Sequence, residues 1–218
     1  MSNIQDLYEL SPMQQGMLFH TLYAPETGIY FEQRHCLLEG ALDQQAFVQA
    51  WQQVVDRYDV LRSEFHWEET DKPLQAVYDT VELPWIIEDW QGLGPDQQNE
   101  KLKSFLVADR IKGFQLDQAP LMRCALFQLS EQQDRFVWSH HHLLMDGWCN
   151  GVMIKEVLTI YQSIQGAALE GKAYPLGPVR PYRDYISWLQ QQDEAKAEAY
   201  WIDALKGVES PTPLVIDR

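Results

Sequence analysis

Two strand-like segments separated by a short polar stretch place the strongest limit on how this chain can fold. Residues 121–129 and 135–142 favour extended structure, and the polar residues 130–134 between them predict the turn of a β-hairpin. Beyond the hairpin, Gly147 opens a long apolar segment that is typical of a helix to about residue 165. Because strands and helices are mixed in this way, the sequence predicts an α/β or α+β fold.

Helical and extended segments also alternate in the rest of the sequence. Ser11 and Gln14 form a capping box around a proline in the first helical position, which predicts a helix that ends near Tyr23. Asp43 can cap a second helix that ends near Tyr58. Further helices are predicted at 97–112 and 182–206, further strands at 29–38, 60–67, 74–78 and 83–88, and a glycine- and proline-rich linker at 166–181.

The charge balance and the lack of targeting signals exclude several classes of function. The 218 residues include 17 Lys and Arg against 32 Asp and Glu, and no basic cluster, so nucleic acid is not an expected partner. No stretch approaches the roughly 20 apolar residues of a membrane helix, and the first residues lack the features of a secretory signal. Three widely spaced cysteines, Cys36, Cys124 and Cys149, predict buried free thiols in a reducing cytoplasm rather than disulfides or a zinc site.

A run of three histidines followed by an Asp-Gly pair is the segment most suited to chemistry. Side chains alternate along a strand, so His140 and His142 face one way and His141 the other. If the strand ends at His142, that residue lies at a strand-to-loop edge, and Asp146 lies in the turn into the next helix. On spacing alone, structural histidines, a plain helix cap at Asp146 and a metal site remain alternatives. Adjacent strand residues diverge, so at most two of the histidines could bind one ion.

Four segments resemble the ordered motifs of one enzyme family. The matching residues are 10–20, which look like the opening motif; 57–65, which resemble RHExLRTxF with Tyr58 and Asp59 in place of His and Glu; 141–147, which match HHxxxDG; and 182–188, which resemble YxDFxxW. Together they resemble the condensation domains of nonribosomal peptide synthetases, which are grouped with chloramphenicol acetyltransferase and dihydrolipoyl acyltransferases.

The resemblance implies a fold and a domain boundary. It implies a chloramphenicol acetyltransferase-like sandwich, with a mixed sheet flanked by helices, as one lobe of a V-shaped domain of two lobes. All four motifs belong to the first lobe in this family. We therefore expect residues 1–175 to form the N-terminal lobe and residues 176–218 to form a linker and a crossing helix toward a C-terminal lobe that this sequence does not contain.

The resemblance also implies a reaction and its partners. The amine of an aminoacyl group on a downstream carrier protein attacks the thioester of an aminoacyl or peptidyl group on an upstream carrier protein, and an amide bond forms. Phosphopantetheine arrives on the two carriers, so we expect the lobe itself to bind no cofactor and no metal. The missing lobe and an adjacent adenylation domain are the other expected partners, and the expected location is cytoplasmic, without membrane contact.

Residue by residue, the resemblance assigns roles to the third motif and to Arg62. His142 is the catalytic histidine, and His141 supports it. Asp146 is a structural carboxylate that is expected to pair with Arg62, and Gly147 lets the backbone approach the reacting centre closely. Since removing one partner of a buried ion pair costs about 3–5 kcal/mol, we expect Asp146→Ala to damage folding.

Most large apolar residues without an assigned catalytic or supporting role are predicted to pack in the core. The predicted core residues are Trp51, Trp67, Trp85 and Trp148, together with Met13, Met17 and Phe19 of the first helix. Family analogy places the first helix close to the substrate tunnel, so Met17 is also a candidate for contact with pantetheine.

Two other functions remain open at the level of sequence. The chain could be a non-catalytic lobe that docks carrier proteins, or a free-standing acyltransferase that uses thioesters. One lobe alone lacks half of the expected tunnel, so the isolated chain is expected to be inactive.

Overall fold

The computed structural model describes residues 3–166 and 176–210, which fall into two units that divide between Ile186 and Ser187. The strands are β1 (Ile4–Glu9), β2 (Phe31–Glu39), β3 (Ser63–His66), β4 (Leu74–Tyr78), β5 (Trp85–Asp89), β6 (Met122–Ser130) and β7 (Gln133–His141). The helices are α1 (Pro12–Tyr23), α2 (Gln44–Arg57), α3 (Pro95–Lys112), α4 (Gly147–Ile164), α5 (Tyr182–Leu189) and α6 (Glu194–Ala204). Within these described residues, no helix combines the length and apolar character needed to cross a membrane.

The strands of the first unit form two sheets. A four-stranded sheet has the order β2-β7-β6-β5, with β5 parallel to β6 and the other pairs antiparallel. A three-stranded antiparallel sheet has the order β1-β4-β3. The predicted hairpin is confirmed as β6 and β7 at the centre of the larger sheet, which is mixed as the resemblance implied. Its turn is shorter than predicted, since Ser130 already pairs with Gln133.

Side chains of β7 alternate between two cores, as the pattern of the sequence predicts. Phe136 and Trp138 belong to a large apolar core that includes residues of α2 and α4, and the Trp138 ring lies 4.9 Å from that of Trp51. Val137 belongs instead to a smaller core with Trp90 and residues of α3. Helices therefore cover both faces of the four-stranded sheet, and the strand that carries the histidines is held between them.

A buried polar network joins α3 to the second face of this sheet. The Asp109 carboxylate of α3 accepts hydrogen bonds from Arg123 Nε at 2.5 Å, from Ser139 Oγ at 2.6 Å and from Gln33 Nε2 at 2.7 Å. The same guanidinium donates to the backbone carbonyls of Asp109 and Gly113. The carboxylate is thus surrounded by donors from β2, β6 and β7, and the network fixes the end of α3 against three strands.

Several sequence predictions about elements are wrong or lie outside the described residues. The strand β1 was not predicted, and residues 182–206 form two helices rather than one because the Asp193 side chain caps α6 by accepting from Lys196 N–H at 2.9 Å. Tyr30 lies in a turn rather than in the strand, since Phe31 N–H donates to the Gly28 carbonyl. Most of the predicted linker, at 167–175, and the end of the chain, at 211–218, lie outside the described residues.

Some residues predicted to be core are exposed. Trp51 is buried, and Trp67, Trp85 and Met17 pack against the large core, but Met13 is 73% exposed, Phe19 is 61% exposed and Trp148 is 89% exposed. Cys36 is also exposed rather than buried. The buried positions of α1 are Gln14 and Leu18, and those of α4 begin at Met153, so the exposed residues fall outside the stripe that each helix turns inward.

Candidate active site

The strand β7 ends at His141, and His142 begins the loop that leads into α4. The backbone N–H of His142 donates to the Tyr30 carbonyl at 2.9 Å, and the Leu144 N–H donates back to the His141 carbonyl at 3.1 Å. His142 therefore leaves the sheet one residue beyond the end of the strand. The predicted position of His142 at a strand-to-loop edge is confirmed.

The side chain of His142 is held so that its two nitrogens differ. Nδ1 lies 2.8 Å from the Met145 carbonyl oxygen. A carbonyl can only accept, so Nδ1 carries the hydrogen and Nε2 of the neutral ring has a free lone pair. The ring is stacked on the Tyr30 ring, with centroids 6.2 Å apart and planes inclined by 22°. This arrangement can accept a proton or a hydrogen bond at Nε2.

The two preceding histidines are buried and serve the structure. His140 is fully buried against the Trp138 ring, and desolvation lowers its pKa to about 4. His141 accepts a hydrogen bond at Nδ1 from Leu143 N–H at 3.2 Å, and desolvation lowers its pKa to about 4 as well. Both rings are therefore neutral at physiological pH. The part of the chain that the structure describes holds no group of three or more His, Cys, Asp or Glu side chains arranged to bind a metal.

Asp146 is exposed and caps the following helix. Its carboxylate accepts hydrogen bonds from Trp148 N–H at 3.0 Å and from Cys149 N–H at 3.2 Å at the start of α4. Slight desolvation acts to raise the pKa of Asp146, but the backbone N–H and the thiol of Cys149, the backbone N–H of Trp148 and the nearby His142 ring together outweigh it and lower that pKa below its usual value. The helix-cap interpretation of this residue is the one that the structure shows.

An apolar cavity of about 600 Å³ borders His142 and collects residues from all four motif segments. The lining residues include Met13, Gln14 and Met17 from the first motif, Tyr58, Val60 and Leu61 from the second, His142, Met145 and Asp146 from the third, and Tyr182 and Tyr185 from the fourth. Cys149 and Tyr30 line it as well, and no pattern in the sequence pointed to either as part of the site. Segments far apart in the sequence thus meet around one imidazole.

Direct hydrogen bonds tie the fourth motif to the first two. The backbone N–H of Tyr182 donates to the Asp59 carboxylate at 3.1 Å, which caps the start of α5. The Tyr182 hydroxyl lies 3.4 Å from Ser11 Oγ, the residue that caps α1. These contacts fix part of the wall of the cavity that His142 also lines.

A second polar cluster supports residues 142–146 from the side of α1. These residues form the loop between β7 and α4 and are called the histidine loop below. Gln14 is buried, and its Nε2 donates to the Leu143 carbonyl at 3.2 Å and to Gln75 Oε1 at 2.9 Å. Gln75 in turn donates to Ser63 Oγ at 2.8 Å and to the Tyr8 hydroxyl at 3.1 Å. The loop is therefore anchored to the three-stranded sheet as well as to its own strand.

Comparison with known proteins identifies the family. The family model described as "Condensation domain" matches residues 4–218. The chain belongs to the condensation domain family. The assignment agrees with the order of the four motif segments and with their meeting at one cavity.

The relatives of this condensation domain chain include several peptide synthases. A component of the linear gramicidin synthase of Brevibacillus parabrevis is 42% identical over 214 residues, a match that covers 98% of this chain and 3% of that protein. Bacitracin synthase 1 of Bacillus licheniformis is 36% identical over 211 residues, or 97% of this chain and 4% of that protein. The chain thus spans a small part of each synthase.

Solved structures with the same fold include a condensation domain and a multidomain peptide synthetase. The starter condensation domain of rhizomide synthetase superposes with a TM-score of 0.80 at 22% identity, and the match covers 95% of this chain and 50% of that chain. A four-domain nonribosomal peptide synthetase, AB3403, superposes with a TM-score of 0.64 at 18% identity over 74% of this chain and 12% of that one. This chain therefore has the length of about half of the solved starter domain.

The expected pair between Asp146 and Arg62 is not formed. The guanidinium of Arg62 is buried and donates to the backbone carbonyls of Tyr78 at 2.8 Å and Val55 at 2.9 Å. Its remaining bonds reach the Asp56 carbonyl at 2.5 Å and the Gln5 side chain at 3.0 Å. Carbonyl oxygens and an amide satisfy this cation, so it has no need of the exposed carboxylate of Asp146.

Gly147 is not required by the packing of this chain. Apart from its two chain neighbours and the backbone of its own helix, a Cβ placed on Gly147 meets no heavy atom of the described residues within 4 Å, and its φ lies outside the left-handed region that favours glycine. The close approach predicted from the resemblance is therefore not made by any part of the chain that the structure describes. A close approach between the Gly147 backbone and groups that bind at the site therefore stays a prediction.

Proposed function

We propose that this chain supplies the histidine side of the active site of an amide-forming condensation domain, as its N-terminal lobe. The observation that carries the proposal is His142, whose Nδ1–H is bonded to the Met145 carbonyl while its ring lines a cavity of about 600 Å³. In the reaction, the acceptor amine attacks the carbonyl carbon of the donor thioester. A C–N bond forms, the C–S bond breaks, and the amine proton is passed to the departing thiolate.

His142 acts on the amine through Nε2. A free α-amine has a pKa of about 8, so about a tenth of it is neutral and nucleophilic at pH 7 without help. Nε2 can orient this amine by accepting its hydrogen bond, and it can take the proton as the amide forms. General base catalysis contributes about 10²–10⁴-fold, whereas holding two tethered reactants in register contributes up to about 7–11 kcal/mol. Positioning by the two carriers therefore supplies the larger share.

Asp146, Gly147, His141 and Arg62 act by holding this geometry. The Asp146 cap fixes the start of α4, and His141 holds the Leu143 backbone, so both define the loop that carries His142. Gly147 leaves room beside the loop for the reacting groups. Arg62 braces the second motif through the backbone carbonyls that it binds.

The apolar wall of the cavity suits the acyl chain and the pantetheine arm of a carrier-bound substrate. Met17 of α1 lines the cavity together with the histidine loop, which supports its candidate contact with pantetheine. In this proposal phosphopantetheine enters with the upstream and downstream carrier proteins, and the chain itself holds no cofactor. A second lobe and a neighbouring adenylation domain complete the assembly, which works in the cytoplasm.

The test is to look for the product on the acceptor carrier. A polypeptide in which this chain is followed by a second condensation lobe is mixed with two loaded carrier proteins, and intact-protein mass spectrometry measures the acceptor carrier. The proposal predicts that a dipeptidyl thioester accumulates on the acceptor carrier and that the donor carrier loses its acyl group at the same rate.

The two rival functions give different results in the same experiment. A docking lobe binds both carriers but yields no dipeptidyl thioester above the rate without protein. A free-standing acyltransferase transfers the donor acyl group to a free amine as readily as to the carrier-bound amine. Either result would contradict the proposal.

A further inference from the structure

Tyr30 adopts a backbone conformation that its side chain disfavours. It is the third residue of a turn that the hydrogen bond from Phe31 N–H to the Gly28 carbonyl closes at 3.1 Å. Its φ is +68°, in the left-handed region. Glycine or asparagine usually occupies a turn position with positive φ, and a bulky residue there is an outlier. Contacts made by Tyr30 must offset this strain.

Those contacts converge on the histidine loop. The Tyr30 carbonyl accepts the backbone N–H of His142 at 2.9 Å, and the Tyr30 ring is stacked on the His142 ring. The same ring meets His141 in an edge arrangement, with centroids 6.3 Å apart and planes inclined by 61°. One strained residue therefore touches the backbone and the imidazole of His142 and also the ring beside it. Strain of this kind clusters at functional sites, where the surroundings hold it in place.

The ring of His142 needs two restraints to keep one orientation. The hydrogen bond from Nδ1 to the Met145 carbonyl fixes one edge of the ring, but rotation of the ring about its Cβ–Cγ bond breaks a single hydrogen bond of this kind and releases the preference for the Nδ1–H tautomer. A second ring that lies close by and nearly parallel to the imidazole limits that motion through steric contact. Tyr30 supplies such a ring, with its centroid 6.2 Å from that of His142, and it lines the same cavity.

We propose that Tyr30 is a positioning residue for His142, and that its ring holds the imidazole with Nδ1–H on Met145 and Nε2 available to the acceptor amine. This role rests on the proposed function for its effect on catalysis, while the orientation of the ring is measured independently of any reaction. The positive φ of the turn is the feature that brings the Tyr30 ring against the histidine.

The test of orientation uses three variants of the 218-residue chain. Tyr30→Phe keeps the ring. Tyr30→Gly removes the ring and suits the positive φ, and Tyr30→Asn also tolerates that φ, so a second variant is available if the glycine variant is poorly folded. Long-range ¹H–¹⁵N correlation spectra, recorded near pH 8, above the ordinary pKa of imidazole, report which nitrogen of each histidine carries the hydrogen.

The proposal predicts a single Nδ1–H tautomer for His142 in the wild-type chain and in Tyr30→Phe. It predicts a mixture of tautomers in Tyr30→Gly and Tyr30→Asn, with thermal unfolding temperatures equal to or above that of the wild type. A single Nδ1–H tautomer in the folded glycine and asparagine variants would overturn the proposal, because Met145 alone would then suffice.

Kinetics of the two-lobed polypeptide give the second readout. A ring that leaves its position by about 1 Å can cost up to about 10²-fold in rate. We expect Tyr30→Gly to lower kcat at least tenfold with KM for the acceptor carrier within twofold, and Tyr30→Phe to stay within twofold for both. Equal rates for Tyr30→Gly and wild type would overturn the positioning role. If the wild type makes no product, the proposed function fails, and the tautomer measurement still decides the orientation.

Discussion

Two aspartates of the first unit, Asp109 and Asp146, show how burial decides what a carboxylate does. Asp109 is buried on the α3 side of the sheet and is paired with Arg123 and further donors. Asp146 is exposed beside the cavity and accepts hydrogen bonds from backbone N–H groups at the start of α4. A buried carboxylate has to be satisfied by hydrogen-bond donors or by a cation, whereas an exposed one is solvated by water. The fold thus places the most buried of its described acid–arginine pairs behind the sheet and leaves Asp146 exposed beside the cavity.

The largest effect on stability is expected behind the sheet. Asp109→Ala leaves Arg123 buried without its carboxylate, so the free energy of unfolding should fall by about 3–5 kcal/mol. Urea denaturation of the chain measures this change. The exposed Asp96 in the first turn of the same helix is the matched control, and Asp96→Ala should cost less than about 1 kcal/mol. Equal losses in the two variants would refute the proposed difference between buried and exposed acids.

The second effect depends on pH and on His140. The pKa of His140 is about 4 in the folded chain and about 6.5 when unfolded, so below pH 6.5 the unfolded chain binds more protons and stability is lost down to about pH 4. At pH 5 this linkage amounts to about 2 kcal/mol. In His140→Leu the loss is absent, so the variant should gain about 2 kcal/mol relative to the wild type between pH 7.5 and pH 5.

Urea unfolding of both proteins across this pH range provides the measurement. The comparison between proteins matters because carboxylates elsewhere also titrate in both of them. Parallel curves for variant and wild type would show that the His140 ring takes up protons in the folded state as easily as in the unfolded state.

A smaller effect is expected at Asp146. Its loss removes a helix cap and no buried charge, so Asp146→Ala should lower the free energy of unfolding by about 1 kcal/mol, and Asp146→Ser, which can still cap, by less than about 0.5 kcal/mol. This reverses the severe loss of folding that the resemblance implied. Thermal unfolding distinguishes the two views, and a loss above about 3 kcal/mol would restore the buried-pair interpretation.

The smallest effect is expected at Gly147. Because a Cβ there meets no described atom within 4 Å apart from its chain neighbours and its own helix, and φ is not left-handed, Gly147→Ala should leave the thermal unfolding temperature unchanged or slightly raised. If the two-lobed polypeptide then loses condensation activity, the need for glycine lies with the substrates. A clear loss of stability would show that the packing around the start of α4 differs from that described.

Local patterns in the sequence predicted the elements well, and long-range contacts explain what was missed. The Ser11 capping box, the hairpin of β6 and β7 and the position of His142 follow from short-range rules and were predicted. The partners of Arg62 are carbonyl oxygens, which leave no mark in a sequence, so its pairing was mistaken. A positive φ at Tyr30 has no sequence signal either, because tyrosine is not a residue expected there.

The exposed aromatic residues show a related limit. Trp148 is a large apolar residue, so its type alone predicts burial. Its place outside the buried face of α4 is what leaves it exposed. The break between α5 and α6 was missed because no glycine or proline marks it. The local signal of the break is the Asp193 side chain, which caps the start of α6. Residue type predicts burial well within the stripe that a helix turns inward and poorly outside that stripe.

The catalytic role of His142 is measured by the single-turnover rate of dipeptidyl thioester formation in His142→Ala. In the two-lobed polypeptide with loaded carriers, we expect a rate about 10²–10⁴-fold below that of the wild type, with the free energy of unfolding unchanged to within about 1 kcal/mol. A rate within threefold of the wild type would show that the imidazole takes no part in the reaction.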